Sequence, residues 1–128
     1  MDRKWTHIAL QCKDILKNVK FYLEYADMEI LHKRGSKKDK NRVFWLGYKK
    51  NPGFVMVLLE GKNATKQKDD DYSHIGFAVK KEEDVTKIAK RALTEKILVW
   101  EPIQKEHPVG YYCGIKDPEG RVVEFSWG

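Results

Sequence analysis

Short apolar runs alternate with polar turns along the chain, and one amphipathic stretch interrupts them in each half. The first half predicts a strand at 6–12, a helix from Asp14 as N-cap to about Tyr25, and strands at 29–33, 43–48 and 54–59. The second half predicts a strand at 73–79, a helix at 82–96, and strands at 97–100, 110–116 and 121–127. The helical spacing in the second half predicts a buried stripe of Val85, Ile88, Ala89, Ala92 and Leu93.

Turn residues separate the predicted strands. Asp117-Pro118-Glu119-Gly120 has Asp, Pro and Gly at the favoured positions of a type I turn, directly before the last strand. Pro102 is expected to end the strand at 97–100. Each half therefore has the order strand, helix, and three further strands.

The two halves are a gapless internal repeat with an offset of 67 positions. His7-Ile8-Ala9-Leu10 falls on His74-Ile75-Gly76-Phe77, and Gly47 falls on Gly114. One helix cannot cover both faces of a four-stranded sheet, so each module is expected to use the other to cover its open face. We predict an α+β fold in one domain, 1–128, with helices outside a curled mixed sheet around a shared cleft. Module one is 6–61, the linker is 62–72 and module two is 73–128.

The alternation of side chains along three predicted strands places three candidate metal ligands on one face. In each strand the apolar positions form one set that packs against the helix, which leaves His7, His74 and Glu124 on the opposite face. Two imidazoles and one carboxylate bind one face of an octahedral divalent ion and leave the other positions open. The residues predict a site for Fe, Mn, Zn, Ni or Co.

The repeat also shows which ligand is missing. The counterpart of Glu124 in the first half is Val57, which cannot bind a metal. Glu60 lies three residues further, on the other face of the strand, and serves as a fourth ligand only if a bulge re-aims it.

The same alternation gives four candidates for the substrate pocket, Gln11, Trp45, Val57 and Tyr112. Gly47 and Gly114 either leave room for a ligand or allow tight strand packing.

Charge and composition limit the classes of partner that the protein is expected to bind. The net charge is +6, and the excess lies before residue 62, with 13 basic and 7 acidic residues against 12 and 12 beyond. Segment 32–42 contains much of this positive charge, and we interpret it as a solvated hairpin loop or as a lid over an anionic substrate. A nucleic-acid contact is the least favoured interpretation, because no aromatic residue is interleaved with the basic ones. The longest apolar run, 54–59, is too short to span a membrane.

The N-terminal residues and the cysteines indicate the compartment. The N-terminus lacks the apolar stretch of a secretory signal, so we expect a cytoplasmic protein. Two cysteines that are not repeat partners, Cys12 and Cys113, are expected to be reduced and buried.

At these residues the chain resembles the vicinal oxygen chelate superfamily, which contains glyoxalases, bleomycin-resistance proteins, fosfomycin-resistance proteins and extradiol dioxygenases. The resemblance rests on the opening Thr6-His7-Ile8-Ala9-Leu10, on His74-Ile75-Gly76-Phe77, and on the ending 117–125, DPEGRVVEF. It implies paired βαβββ modules, often assembled as a homodimer. It also implies a metal ion that His7, His74 and Glu124 hold and that substrate oxygens chelate.

The resemblance leaves the chemistry open between several kinds of member. Glyoxalase I usually has a carboxylate at the position of Val57, and fosfomycin-resistance enzymes commonly have Thr at the position of Ala9. Bleomycin-binding members lack the metal trio. The prediction is a metal-dependent enzyme, a lyase or isomerase or a dioxygenase, acting on a small oxygenated substrate. The alternative is a small-molecule-binding or resistance protein without catalysis, and no nucleic-acid or membrane partner is expected.

Overall fold

The structure is a computed structural model that describes residues 2–62 and 66–128. The first half contains β1 (His7–Cys12), α1 (Ile15–Tyr25), β2 (Glu29–Arg34), β3 (Val43–Gly47) and β4 (Val55–Glu60). The second half contains β5 (His74–Ala78), α2 (Glu82–Thr94), β6 (Leu98–Gln104), β7 (Tyr111–Lys116) and β8 (Val122–Trp127). The predicted order of strand, helix and three strands is confirmed in both halves.

Each half forms one open four-stranded mixed sheet. The strand orders are β1-β4-β3-β2 and β5-β8-β7-β6. The first strand of each half pairs parallel with the last, and the other pairs are antiparallel. This is the α+β fold that the repeat predicts, with one helix for each sheet.

The offset of the repeat is preserved in the pairing of the first strand with the last strand of each half. His7 lies opposite Val55 on β4, and His74 lies opposite Val122 on β8, so both members of the second pair are 67 residues beyond those of the first. Positions that match in sequence therefore occupy the same places in these two pairs of strands, whereas β7 is shifted by two residues along β8, since Trp45 lies opposite Val57 and its repeat partner Tyr112 lies opposite Ser126.

Helix α1 begins where the capping residue predicts. The Asp14 side chain accepts a hydrogen bond from the backbone N–H of Lys17 at 3.3 Å, which satisfies a donor of the first turn. The buried face of the helix includes Ile15, Val19 and Tyr22, at helical spacing. The strands supply Phe44, Leu46, Met56 and Leu58 to the core of this half.

Helix α2 carries three acidic residues in its first turn, where they face the positive end of the helix dipole. Val85, Ala89 and Ala92 are its buried residues, as predicted. Two expectations were wrong. The helix ends at Thr94 rather than at 96, because Lys96 adopts a positive φ of 63°. Leu93 is exposed, with 66% of its surface accessible, because the small residues form the contact with the sheet.

Three irregularities of strand pairing change which side chains share a face. β2 has a register shift between Ile30 and His32, and β6 has two, between Leu98 and Trp100 and between Trp100 and Ile103. β6 also continues through Pro102 to Gln104, so the prediction that Pro102 ends this strand was wrong. Pro is compatible with this place because β6 is the outermost strand of its sheet.

The chain divides into two compact units, Met1–Thr65 and Lys66–Gly128. The pairing of the modules around a shared cleft stays a prediction, as do the domain limits. Across the described residues, no helix has the length and apolar character that crossing a membrane requires.

Candidate metal centre

Two of the three predicted ligands lie side by side in the second unit. His74 begins β5, and Glu124 lies two residues beyond His74's partner on the neighbouring strand β8. The His74 Nε2 and the Glu124 Oε1 are 3.6 Å apart, with 37% and 20% of the two side chains exposed. The distance is longer than a hydrogen bond, so the two groups face each other without being bonded.

The other nitrogen of His74 is already engaged. The Nδ1 lies 2.8 Å from the backbone carbonyl oxygen of Tyr72. A carbonyl only accepts, so Nδ1 donates, and neutral His74 presents the lone pair of Nε2 toward Glu124. A hydrogen bond of this kind is what orients histidines that bind metal ions.

The side chain of Gln67 holds the segment that contains the Tyr72 carbonyl. Its Nε2 donates to the carbonyl oxygens of Asp71 and Ser73, both at 2.6 Å, which flank the carbonyl that His74 uses. Its Oε1 accepts from the backbone N–H of Val122, opposite His74, at 3.0 Å. Gln67 thus ties the approach to β5 to the start of β8. From the sequence, Gln67 was predicted only to lie in the linker 62–72.

The turn before β8 is fixed by Asp117, whose side chain is fully buried. One carboxylate oxygen accepts from the backbone N–H groups of Glu119 and Arg121, at 2.9 and 3.0 Å. The other accepts from the guanidinium of Arg121 at 3.1 Å. The backbone N–H of Gly120 donates to the Asp117 carbonyl at 2.9 Å, and Gly120 has a φ of 87°. This network starts β8 in the register that aims Glu124 beside His74.

An aromatic wall stands next to the His74–Glu124 pair. The rings of His74 and Trp100 meet edge to face, 5.2 Å between centroids, and Trp100 meets Tyr112 in the same way at 6.3 Å. Gly114 makes room for the indole, because a Cβ there would lie 2.4 Å from Trp100 Cε3. The space at Gly114 is therefore filled by packing.

Sequence reasoning missed Trp100. Leu98 pairs with the buried Ile115, so regular alternation puts Trp100 on the helix side with Leu98. The register shift in β6 pairs Trp100 with Gly114, which turns the indole to the His74 face. The one sequence signal was Gly114 itself, a residue that strands disfavour unless something approaches closely.

The third predicted ligand, His7, lies at the start of β1 in the first unit and is exposed. Its Nδ1 is 2.9 Å from the hydroxyl oxygen of Thr6, so Nε2 is the nitrogen available for a further ligand. A depression of about 410 Å³, lined by Arg3, Lys4, Trp5 and Thr6, adjoins it. In each unit, therefore, the residues just before the first strand engage Nδ1 of the histidine.

Val57 holds the place in the first sheet that Glu124 holds in the second. It pairs with Ala9, two residues beyond His7, as Glu124 pairs with Gly76. Glu60 does not substitute for the missing carboxylate. Its two oxygens accept from the Nε and an Nη of Arg42, each at 3.0 Å, and one also accepts from the Arg42 backbone N–H. The hydrogen bonds from Arg42 are the main reason that the pKa of Glu60 is lowered.

The remaining pocket candidates lie on separate parts of the two sheets. Gln11 lies against Gly61, where a Cβ would come within 2.6 Å of its side chain. Trp45 lies on β3 opposite Val57, and Tyr112 lies on β7 in contact with Trp100. At Gly47 the nearest atom to an added Cβ is the tip of Leu31, at 2.8 Å, so this space too is filled by a side chain.

The donor set of the second unit fits a divalent ion. A neutral imidazole nitrogen and a carboxylate oxygen are ligands of Zn, Fe, Mn, Ni and Co. Ligand atoms of such ions lie about 2 Å from the metal, so two atoms 3.6 Å apart can share one ion. Within either unit by itself, the described residues hold no group of three His, Cys, Asp or Glu side chains that would complete such a site.

Cys113 lies directly behind the pair and is fully buried, as is Cys12, and both are free thiols. Burial, with a smaller effect from the nearby charge of Glu124, raises the pKa of Cys113 to about 11. Its thiol donates weakly to the carbonyl of Val85 on α2 at 3.8 Å. Cys113 is therefore a packing residue and not a thiolate ligand.

Comparison with known proteins gives a family. The chain matches the Glyoxalase/Bleomycin resistance protein/Dioxygenase superfamily over residues 4–125. It is 38% identical over 127 residues to an uncharacterized Pseudomonas aeruginosa protein, PA2024, with 96% of this chain and 87% of that protein covered.

Solved structures share the fold. A trypanothione-dependent glyoxalase I of Leishmania major has a TM-score of 0.72 and 26% identity, with 98% of this chain and 86% of that chain covered. A mutant of the fosfomycin resistance protein FosX of Listeria monocytogenes was solved with Mn(II) and dihydroxypropylphosphonic acid. It has a TM-score of 0.73 and 22% identity, with 100% of this chain and 94% of that chain covered. With its tandem modules, and with family motifs at both ends, the chain belongs to the Glyoxalase/Bleomycin resistance protein/Dioxygenase superfamily.

Proposed function

We propose that this protein is a divalent-metal-dependent enzyme acting on a small oxygenated substrate, and that His7, His74 and Glu124 hold the metal ion. The observation that carries the proposal is the pair in the second unit. The Nε2 lone pair of His74 faces a Glu124 oxygen 3.6 Å away, while Nδ1 is held by the Tyr72 carbonyl. An imidazole fixed in this tautomer beside a carboxylate is ready to bind a cation.

A divalent ion held there would act as a Lewis acid toward a substrate oxygen. The residues around it orient the ligands and shape the site. The Tyr72 carbonyl keeps the proton of His74 on Nδ1. Trp100 and Tyr112 form an apolar wall that excludes water from one side of His74. Gly76 leaves open space beside Glu124, since an added Cβ would lie 3.7 Å from Oε2.

The first unit limits which reaction is expected. Val57 supplies no carboxylate, and Glu60 is bound to Arg42. Isomerase chemistry of the glyoxalase I type needs a protein base. Neither position 57 nor the Arg42-bound Glu60 supplies a carboxylate for that role. The proposal therefore covers lyase or oxygenase reactions in which the metal-bound substrate does not depend on a base at position 57.

The similar proteins support a metal and a small substrate. One is a glyoxalase I, and another was solved with Mn(II) and a small phosphonic acid. We further propose that the protein is a cytoplasmic homodimer in which paired modules form the cleft.

A second candidate is a binding or resistance protein without catalysis. Val57 is the observation that favours it, because one of the two equivalent places for a carboxylate holds an apolar side chain that is only 7% exposed. The two candidates differ in whether bound substrate is converted, and both are compatible with the fold.

Thermal unfolding with added Mn²⁺, Fe²⁺, Co²⁺, Ni²⁺ and Zn²⁺ tests the metal site. At least one ion should raise the melting temperature of the wild-type chain, and His74→Ala and Glu124→Ala should lose that rise. His107→Ala is the matched control, because His107 lies in the exposed segment between β6 and β7. Equal responses of His74→Ala and His107→Ala would refute the site. Metal-dependent conversion of epoxide or catechol probes then separates the enzyme from the binding protein, and an α-ketoaldehyde should not be converted, since position 57 carries no carboxylate.

A further inference from the structure

A second cluster of polar and aromatic side chains lies on the first sheet, away from the proposed ligands. It consists of His32 and Arg34 on β2 and Trp45 on β3, and we call it the Trp45 patch. The register shift in β2 places His32 directly opposite Trp45 and Arg34 opposite Val43. Without the shift, Leu31 and Lys33 would occupy this face.

The indole of Trp45 contacts both Arg34 and His32. The guanidinium carbon of Arg34 lies 5.0 Å from the centre of the ring, a cation–π contact. The imidazole of His32 lies 5.1 Å from the ring centre. Arg34 and His32 are exposed and Trp45 is half-buried, so the donor groups of Arg34 remain accessible. The ring restricts the guanidinium without using its N–H donors.

Several acidic side chains of the first unit are engaged elsewhere. Glu60 pairs with Arg42, Glu29 with Lys49, and Asp14 with Lys17. Within the described residues, neither Arg34 nor His32 has a carboxylate at ion-pair distance. A guanidinium oriented on an aromatic ring and lacking an acidic partner matches a carboxylate or phosphonate group, because its parallel N–H donors fit two oxygens at once.

The Trp45 patch lies on the same sheet face as His7. His7 pairs with Val55 and Trp45 pairs with Val57, so the two residues lie two strands and two positions apart. That offset is about 12 Å between backbones at the usual strand spacing and rise. A ligand that reaches from one to the other needs a chain of several bonds.

We propose that the Trp45 patch binds an oxyanion of the substrate, a carboxylate or a phosphonate, at the end away from the metal. This rests on the proposed function, whose small oxygenated substrate it defines as an acid long enough to span the offset of about 12 Å. Arg34 binds the anionic group through its paired N–H donors. Trp45 holds the guanidinium in place and His32 adds a further donor.

Nuclear magnetic resonance titration of the full chain loaded with Zn²⁺ tests the subsite. The probes are glutarate, propylphosphonate and the uncharged glutaramide, at constant ionic strength. The Trp45 indole N–H and the Arg34 Nε–H signals should shift saturably with at least one of the anions and not with glutaramide. The anion that binds more tightly indicates whether the group bound by the Trp45 patch is a carboxylate or a phosphonate.

Matched variants separate the subsite from the general positive charge. Arg34→Gln should weaken anion binding about tenfold, as expected for loss of a paired charge-assisted contact. Lys33→Gln removes the same charge from the opposite face of the same strand and should change the affinity by less than about twofold. Equal weakening by both variants, or saturation by glutaramide, would overturn the proposal.

The failure of this subsite can be distinguished from failure of the metal site. Arg34→Gln should bind metal as the wild type does, and His74→Ala should lose metal while the Trp45 signals still respond to the anion. A chain that binds metal but shows no Arg34-dependent response retains the proposed function and loses the subsite. A chain with an Arg34-dependent response and no metal binding retains the subsite alone.

Discussion

Replacing Gly114 by Ala tests whether the aromatic wall positions His74. The added Cβ would lie 2.4 Å from Trp100 Cε3 and 2.7 Å from Cδ2. Ordinary contact begins at 3.4 Å, so the indole must move by about 1 Å, and the ring cannot flex internally to allow it. Overpacking of this kind costs about 1–3 kcal/mol, and we expect the lower part of that range because Trp100 is only half-buried.

The displacement should be visible at the site as well as in stability. Trp100 meets His74 at 5.2 Å, so Gly114→Ala should lower metal affinity together with the free energy of unfolding in urea. Gly47→Ala is the control given by the repeat. The only close approach of its Cβ would be to the flexible tip of Leu31 at 2.8 Å, since the Phe54 carbonyl oxygen lies at an ordinary 3.5 Å, and we expect a change below about 1 kcal/mol.

The outcome that refutes this reasoning is a Gly114→Ala protein with wild-type stability and wild-type metal affinity. Equal damage from Gly47→Ala would also refute it, because the rigid indole would then not be the cause. Metal titration and urea unfolding of both variants, measured in the same buffer, decide between these results.

Three other predictions concern separate groups. Gln67→Leu removes three hydrogen bonds around the approach to β5 and should destabilise the chain by about 1–3 kcal/mol in urea and weaken metal binding, whereas Gln104→Leu should do neither. The raised pKa of Cys113 means that from pH 9 to 11 the unfolded thiol ionises while the folded thiol keeps its proton. The free energy of unfolding should therefore fall as pH rises through this window, and the fall should be smaller in Cys113→Ala. Because the pKa of Glu60 is lowered in the fold, its ionised form stabilises the folded chain above about pH 4.5, and this stabilisation is lost as the pH falls. In Glu60→Gln the free energy of unfolding in urea should therefore decrease less steeply with falling pH.

The strand positions of the three proposed ligands could be predicted from sequence because their strands are regular. β1, β5 and β8 alternate without interruption, and the offset of the repeat is carried unchanged into the parallel pairing of the first and last strands of each half. Regular alternation therefore placed His74 and Glu124 on one face, and the structure has them 3.6 Å apart. The position of His7 relative to them stays a prediction.

The residues that sequence reasoning missed follow bulges or long-range hydrogen bonds. Trp100 and Arg34 reach their faces because β6 and β2 each contain a register shift, and one extra residue reverses the alternation beyond it. Gln67 acts through backbone groups of residues up to 55 positions away, which no hydrophobic pattern reveals. Pro102 gave the wrong limit for β6, because an edge strand has a side that needs no hydrogen-bond donor.

Crystals grown with Mn²⁺ and measured for anomalous scattering test the central claim most directly. The claim is that the two modules contribute to one ion, with His7 from the first and His74 and Glu124 from the second. The expected result is one anomalous peak for each pair of modules, about 2.0–2.3 Å from both Nε2 atoms and a Glu124 oxygen. A peak bound by other residues, or a Mn²⁺-saturated crystal without a peak beside His74, would contradict it.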